Sequence, residues 1–517
     1  MLVSALTLLA FAIGGYHPYA EDGGLYLAGV KRLLNPVLYP RSTAFALEPA
    51  RLSLFAPAVA GIVRVTHIGL PGVLFVLHLL SIWATLFAAW LLATRCWEVR
   101  AARAAAVVLL ACWLSLPVAG TALLLMDPYL TARSFSTPAT LLAIVGALDM
   151  TEGRRRQGIL LWAGSLALAA AMHPLMAAYA LGATLILLCL RASRRTLRIG
   201  GTAAISCAAA LFAAALQHSA KAESADYVRV ALTRTYWFPS EWRWFELAGL
   251  MAPLAILAIA AWRHATSPGA PRLASETWVR TTTPLYVEPS VALARMALAA
   301  GVTAWIVAAI FARADSPAHL VARLQPLRVF QIVYLVMVLL LGVNLGAMLS
   351  SSRLLSGARR WAAAVLLLGG TMFAANRAAF PNSPHLELPW LAPRNPWVRA
   401  FLWIRESTPK DALFALDADY INSTGEDTQC FRAIAERSAL PDYSKDGGEA
   451  SIAPELTTAW VVGQSAQQNL SAPSETDAKR IAALRPLSVS WIVLESSAVT
   501  HFGCSYQNAT VKVCRLP

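Results

Sequence analysis

Charged residues are scarce in this chain. Of 517 residues only 14% are Asp, Glu, Lys or Arg, against about 25% in a soluble domain, while hydrophobic residues reach 57%. That balance excludes a conventional soluble enzyme. Acidic residues are the scarcer sign, 29 against 43 basic ones, for a formal charge of +14. An excess of basic residues can mark a nucleic-acid binder, but its position argues otherwise. Residues 1 to 375 hold 30 basic and 14 acidic side chains, whereas 376 to 517 hold 13 and 15. The surplus therefore belongs to the apolar part, where Lys and Arg mark the cytoplasmic ends of membrane spans, and no nucleic-acid partner is expected.

Other signatures are missing. No CxxC or Cys/His metal spacing occurs among the seven cysteines, so a structural zinc site is not expected. Cys96, Cys112, Cys189 and Cys207 lie in or beside apolar runs, and only Cys430, Cys504 and Cys514 fall in the polar tail. A Cys504–Cys514 disulfide requires that the tail occupy an oxidising compartment. No glycine-rich phosphate loop follows a strand-like segment, and no internal repeat of the kind found in many transporters is visible. The first apolar run lacks a basic leading segment and a clear cleavage site, which predicts an anchoring helix and not a removed signal peptide.

What is abundant is long apolar runs. A span needs about 20 mostly apolar residues. Eleven runs qualify, near 1–16, 70–94, 104–125, 134–150, 158–172, 174–190, 199–217, 246–262, 292–311, 329–350 and 359–375. A twelfth, 52–67, is interrupted by Pro57 and Arg64. The connections 95–103, 151–158, 191–198, 263–290 and 351–360 carry sixteen basic residues and are read as cytoplasmic. The opposite connections carry eight, or twelve if 17–51 is added with Lys31, Arg32, Arg41 and Arg51. These outer basic residues need an explanation other than orientation. With eleven spans the amino end lies inside and the tail outside; the expectation is a bacterial inner membrane with a periplasmic tail.

The tail begins with a Pro- and Trp-rich connector, Phe380 to Trp397, suited to the headgroup level. Helix-like stretches at 396–406, 431–438 and 475–484 then alternate with strand-like stretches at 412–416, 488–494 and 510–516. The predicted architecture is an α-helical polytopic membrane protein. Residues 1–375 form the bundle, with a first outer loop 17–69, and 376–517 form a small extracytoplasmic α/β domain.

Chemistry concentrates after the first run, in His17-Pro18-Tyr19-Ala20-Glu21-Asp22-Gly23-Gly24-Leu25-Tyr26. Adjacent carboxylates at a membrane surface can take a proton from a hydroxyl or hold a divalent cation beside a phosphate. The plainer reading is that Glu21 and Asp22 open a helix, where acids favour the amino-terminal dipole. Asp127, before Pro128, is a second outer acid that also fits an ordinary turn. Arg133 stands at the mouth of an apolar run and needs an anionic partner or a route to water. Arg323 and Arg328 flank the start of another run, spaced to grip a lipid phosphate or, alternatively, to snorkel at the interface. His17, His173 and His319 could converge on a metal only if the bundle gathers them. The loop 218–245, rich in Tyr236, Trp237, Phe238, Trp242, Trp244 and Phe245, suits sugar stacking or, more simply, an interfacial aromatic belt.

This arrangement resembles the GT-C glycosyltransferase superfamily, which includes protein O-mannosyltransferases, lipid A aminoarabinose transferase and oligosaccharyltransferases. The resemblance lies in the acidic pair after the first span, Tyr26 four residues beyond Asp22, an extended stretch ending in Pro40, and a half-inserted segment 52–67 before the second span. The order Glu-Asp differs from the Asp-Glu of several members, and Gly23-Gly24 matches no family pattern. The resemblance implies a GT-C-like bundle and transfer of a sugar from a polyprenyl-phosphate donor at the outer face. Asp22, Glu21 and Asp127 would be the catalytic acids, with Asp22 favoured, and Tyr26, Arg133, Arg323 and Arg328 would bind substrate. Expected partners are that donor and membrane lipids. No specific cofactor is implied, and a divalent metal ion is compatible with the acids. The alternatives are a lipid or solute transporter or flippase, and a non-catalytic envelope-assembly protein. Sequons at Asn422, Asn469 and Asn508 matter only in a eukaryotic secretory setting.

Overall fold

The computed structural model describes residues 1–262, 288–351, 357–422 and 427–517. Most of the basic connection 263–290 and part of 351–360 lie outside the described residues. The chain is mostly helical. It opens with α1 (Leu2–Gly14), α2 (Glu21–Leu34), α3 (Thr43–Arg51), α4 (Phe55–Thr66), α5 (Leu70–Cys96) and α6 (Arg100–Cys112). A short hairpin, β1 (Pro117–Val118) and β2 (Leu123–Leu124), precedes α7 (Arg133–Thr151), α8 (Arg155–Met172), α9 (Pro174–Leu190) and α10 (Arg195–Ser219). Then come α11 (Ala225–Leu232), α12 (Trp244–Trp262), α13 (Glu288–Phe311), α14 (Leu320–Arg323), α15 (Phe330–Ser351) and α16 (Gly357–Ala379).

Among the described residues, six helices are long and apolar enough to cross a membrane: Leu70–Cys96, Arg195–Ser219, Trp244–Trp262, Glu288–Phe311, Leu320–Leu349 and Arg359–Ala379. The chain is therefore read as an integral membrane protein. The other five predicted runs also contain helices, but shorter or more polar ones. The run 104–125 is not one helix: α6 stops at Cys112, and the hairpin follows, turning at Gly120 with a φ of 66°. Helix α7 misses the apolar standard because it carries Ser134, Ser136, Thr137 and Thr140, all buried inside the bundle. Buried Gln331 of α15 donates to the Leu125 carbonyl at 3.0 Å and to Thr137 at 3.1 Å, so polar groups are satisfied within the bundle. The segment 52–67 is helical from Phe55 and meets α3 at a bend of 97°, which makes the pair a broken span or a re-entrant turn.

The two ends of the bundle differ. At one end, Arg95 and Arg154 close on Asp149 at 2.8 and 2.7 Å, and Arg191 reaches Glu152 and Glu288. These are the ends of α5, α7 and α9 and the start of α13, the side read from sequence as cytoplasmic. At the opposite end, the starts of α7 and α9 face α2 and the tail.

The tail contains α17 (Pro396–Ser407), β3 (Leu413–Ala415), α18 (Phe431–Ala435), β4 (Ser438–Ala439), α19 (Lys445–Ile452) and α20 (Thr457–Gln467). It ends with α21 (Asp477–Leu484), β5 (Trp491–Glu495), β6 (Cys504–Gln507) and β7 (Val511–Arg515). The sheet order is β4-β3-β5-β7-β6, with β3 parallel to both neighbours and β5, β7 and β6 antiparallel. Cys504 and Cys514 pair across β6 and β7 and are disulfide-bonded. α17 is capped by Asn395, whose side chain accepts from the Trp397 and Val398 amides. Its buried Trp397 and Phe401 share one apolar cluster with Leu27 of α2, Phe55 of α4, and Phe414 and Phe431 of the tail. Each such side chain contributes roughly 1.5–3 kcal/mol on full burial. Composition divides the chain near 375, yet this core runs across that division and fixes the tail to the first outer loop.

Candidate active site

The site begins where α1 ends. Gly15, at φ 83°, stops that helix, and the next residues are pinned from two sides: the Tyr16 amide donates to the His385 carbonyl at 2.9 Å, and the His17 amide to the Pro128 carbonyl at 2.8 Å. Helix α2 then starts at Glu21, so the acids do occupy a helix amino terminus. Its two glycines have a packing reason: a Cβ on Gly23 would stand 2.9 Å from the Tyr129 Cβ, and one on Gly24 would overlap Cys430 and lie 2.5 Å from the Tyr19 carbonyl oxygen. The helix slots between the Asp127–Arg133 loop and the tail.

A chain of alternating charges results. Asp127 accepts from Arg133 at 2.8 Å, Arg133 also reaches Asp22 at 3.3 Å, and Lys445 at the start of α19 lies 3.2 Å from the other Asp22 oxygen. Lys445 also pairs with Glu21. Arg133 and Asp127 are nearly inaccessible, whereas the Asp22 side chain keeps 28% exposure. That remaining exposure opens into a cavity of about 610 Å³ between the starts of α2, α7 and α9 and the tail.

Glu21, Asp22, Tyr26, Arg133, Arg323 and Arg328 all line this cavity. Asp127 does not; it sits behind Arg133 and acts on the cavity only through that guanidinium. The Arg328 side chain has no ion-pair or hydrogen-bond partner among the described residues, and its Nε is buried without one. Arg323 approaches the Ile452 carbonyl, at 3.5 Å, and lies beside the Tyr227 hydroxyl. Leu52 and Leu324, 60% and 37% exposed, give the cavity an apolar rim. Three non-glycine residues with left-handed backbone line it as well: Glu21 (φ 48°), Ala122 (φ 53°) and Gln325 (φ 50°). Strained backbone of this kind gathers at functional sites.

The electrostatics divide the carboxylates. Burial pushes the Asp22 carboxyl up, but Lys445, Arg133 and Arg328 together outweigh it and hold the group well below the usual carboxylate range. Glu449 of α19, in the same cavity, is pushed well above that range by burial, reinforced by the negative charges of Asp446, Glu48, Asp22 and Asp442. Burial pushes the Tyr26 phenol up to about 12.

Several residues of the site carry no sequence signal. Lys445 and Glu449 sit in a polar tail where charge is ordinary. Arg234 anchors the start of α19 by donating to the Ser444 and Tyr443 carbonyls at 2.6 and 3.0 Å. The aromatic loop divides: Trp237, Phe238 and Trp242 are buried, Trp244 is exposed, and Tyr236 reaches the cavity. Of the three histidines, His173 lines the cavity, while His17 stacks on Phe380 and His319 pairs with Glu223 at 2.7 Å.

Among the described residues, no group of three or more His, Cys, Asp or Glu side chains is placed to hold a metal ion. Both Asp22 oxygens are already met by cations, and Lys445 fills the space between Asp22 and Glu21. A divalent ion would have to displace that ammonium, so the acid pair as it stands does not fit one.

No protein-family model matches the chain, and no curated protein matches it. Solved structures do. The archaeal oligosaccharyltransferase AglB from Archaeoglobus fulgidus, in complex with an inhibitory peptide and a dolichol-phosphate, aligns over 96% of this chain and 69% of its own, with 11% identity and a TM-score of 0.42. The Archaeoglobus fulgidus oligosaccharyltransferase in complex with Zn and sulfate aligns over 96% and 68%, with 10% identity and a TM-score of 0.45. Likeness at this level carries no argument about activity.

Proposed function

We propose that this chain is a GT-C-type membrane glycosyltransferase that moves a sugar from a polyprenyl-phosphate-linked donor to an acceptor at the outer face. The observation that carries the reading is the single cavity in which an ionised acid, Asp22, faces the unpaired Arg328 beneath an apolar rim. A donor of this class has three parts, and the cavity offers a place for each. The prenyl chain lies along Leu52 and Leu324, the phosphate is gripped by Arg328 and Arg323, and the sugar projects toward Tyr26 and Asp22.

The chemistry is a single displacement with inversion. As the anomeric carbon parts from the phosphate oxygen, negative charge grows on the phosphate and positive charge on the sugar ring. Guanidinium groups with no competing anion stabilise the first, and a carboxylate kept ionised by Lys445 and Arg133 stabilises the second. Asp127 holds Arg133 in place. The basic helix ends gathered around Asp149 and Glu152 lie on the cytoplasmic side, and the disulfide-bonded tail lies in an oxidising extracytoplasmic space, periplasmic if the source is bacterial. The scaffold reading would be favoured by Glu21 and Asp22 pointing away from any cavity, whereas both line one.

The test is binding and transfer in proteoliposomes. Wild-type protein should retain a polyprenyl phosphate in preference to a phosphatidyl lipid and move labelled sugar from a polyprenyl-phosphate-linked donor. Arg328→Ala should lower transfer by about 10²–10³-fold, the usual loss for one charge-stabilising donor, with Arg328→Lys intermediate. Asp22→Asn should lower transfer while polyprenyl-phosphate binding persists. Equal retention of both lipids would end the proposal.

A further inference from the structure

Asp22 is a weak proton acceptor, because Arg133 and Lys445 each contact one of its oxygens and stabilise its ionised form. The transfer still needs a base if the acceptor is a hydroxyl. Glu449 is the carboxylate in the cavity that no cation holds: among the described residues its side chain has no ion pair and no hydrogen bond, and the residue is only 8% exposed. It lies four residues beyond Lys445 on α19, so both project from the same face of that helix toward the cavity. The helix itself is fixed in place. The Asp442 carboxylate accepts from the Lys445 amide at 2.6 Å, Arg432 bonds Asp446 at 2.6 Å, and the Tyr227 hydroxyl donates to the Ser451 carbonyl at 2.8 Å.

We propose that Glu449 is the catalytic base of the glycosyl transfer proposed above, on which this inference rests, and that the acceptor presents a hydroxyl. The Glu449 carboxylate takes the hydroxyl proton as the hydroxyl oxygen bonds to the anomeric carbon. The bond from that carbon to the phosphate oxygen breaks, its electron pair leaves with the lipid phosphate, and the protonated Glu449 returns its proton to water. Asp22 stays ionised throughout and takes no proton.

The surroundings suit a proton acceptor. Burial and the acids Asp446 on its own helix, Glu48 from α3, Asp22 from α2 and Asp442 before α19 all raise the proton affinity of Glu449. Of the cations around the cavity, Lys445 is engaged by Asp22 and Glu21, Arg51 by Glu48 and Glu455, and Arg234 by backbone carbonyls, while Arg323 and Arg328 line the same cavity without an ion pair to Glu449 among the described residues. Glu455 lies just beyond the helix, paired with Arg51. From α11 come Asp226 and Arg229, and Arg229 lines a separate cavity; α20 brings no charged residue.

The experiment follows transfer from a labelled polyprenyl-phosphate-linked sugar, using membranes that contain the full-length chain and its native acceptor. Glu449→Gln should lower kcat by about 10²–10⁴-fold, the usual share of general-base catalysis, with donor KM changed less than twofold. In the wild type, kcat/KM should rise with pH through a pKa above the ordinary carboxylate range, and Glu449→Asp should keep part of the rate. Wild-type kcat in Glu449→Gln, or a wild-type profile flat across that range, overturns the assignment; the wild-type profile decides even if the variant misfolds. A wild type that binds polyprenyl phosphate yet moves no sugar overturns the base while leaving the lipid site. A wild type that does neither removes the glycosyltransferase reading and the base with it.

Discussion

Two carboxylates on different elements face one cavity, in opposite surroundings. Asp22, on the wall built by the first outer loop, is clasped by Arg133 at 3.3 Å and Lys445 at 3.2 Å and is held strongly acidic. Glu449, on the wall built by the tail, has acids for neighbours and no clasping cation, and its proton affinity is raised. Residue type does not divide their roles; environment does, since a carboxyl among cations supplies fixed charge and one among acids exchanges protons. The tail supplies both Glu449 and the cation that helps keep Asp22 ionised.

Removing Lys445 should disturb this contrast most. Lys445→Met strips one cation from Asp22 and Glu21 and should cost about 1–3 kcal/mol, less than a fully buried pair because both acids keep some exposure. Detergent melting should show the loss, and Lys445→Met with Asp22→Asn should cost less than the sum of the single changes. Additive losses would show that the two residues are not coupled.

Gly24→Ala acts on the wall and not on the charges. The new Cβ meets Cys430 and the Tyr19 carbonyl, and the overlap should cost about 1–3 kcal/mol, read as a lowered melting temperature. Gly503→Ala, where a Cβ meets nothing within 4 Å, is the control.

The finest test sets the two acids against each other by pH. Asp22 has a folded pKa below its unfolded value, so its stabilisation is full above about pH 4–5 and disappears only in stronger acid. The melting deficit of Asp22→Asn should therefore be the same at pH 5 and pH 8. Glu449 has a raised folded pKa, so ionising it opposes folding, and stability falls as pH rises through that value. Glu449→Gln should melt above the wild type at pH 8, with the gap closing toward pH 5. Parallel trends in the two variants would remove the contrast.

Half of the site was legible because it lies against apolar sequence. Glu21, Asp22, Arg133, Arg323 and Arg328 stand beside hydrophobic runs, where any charge demands a reason, and all five line the cavity. Asp127 stood out equally, but its place behind Arg133 depends on how the loop folds. The outer basic residues left unexplained by orientation find partners across the chain: Lys31 pairs with Glu436 at 2.7 Å, Arg51 with Glu455 at 2.8 Å, and Arg41 donates to the Ser488 carbonyl at 3.0 Å. Elements were legible where a period was long enough to see. The short β6, Cys504 to Gln507, and the polar α19 and α20 had none, and 104–125 broke where Pro117 and Gly120 turn the chain.

The sequence by itself determined a helical, membrane-embedded chain with a polar tail, and it marked an acid pair and three arginines at the outer helix ends. Those follow from local composition, since each residue's hydropathy and charge can be read without its neighbours in space. Only the tertiary structure decided that Lys445 and Glu449 join Asp22, more than 400 positions away, around one cavity. A carboxyl's proton affinity is set by the charges and solvent within a few ångströms of it, and the fold alone chooses those neighbours.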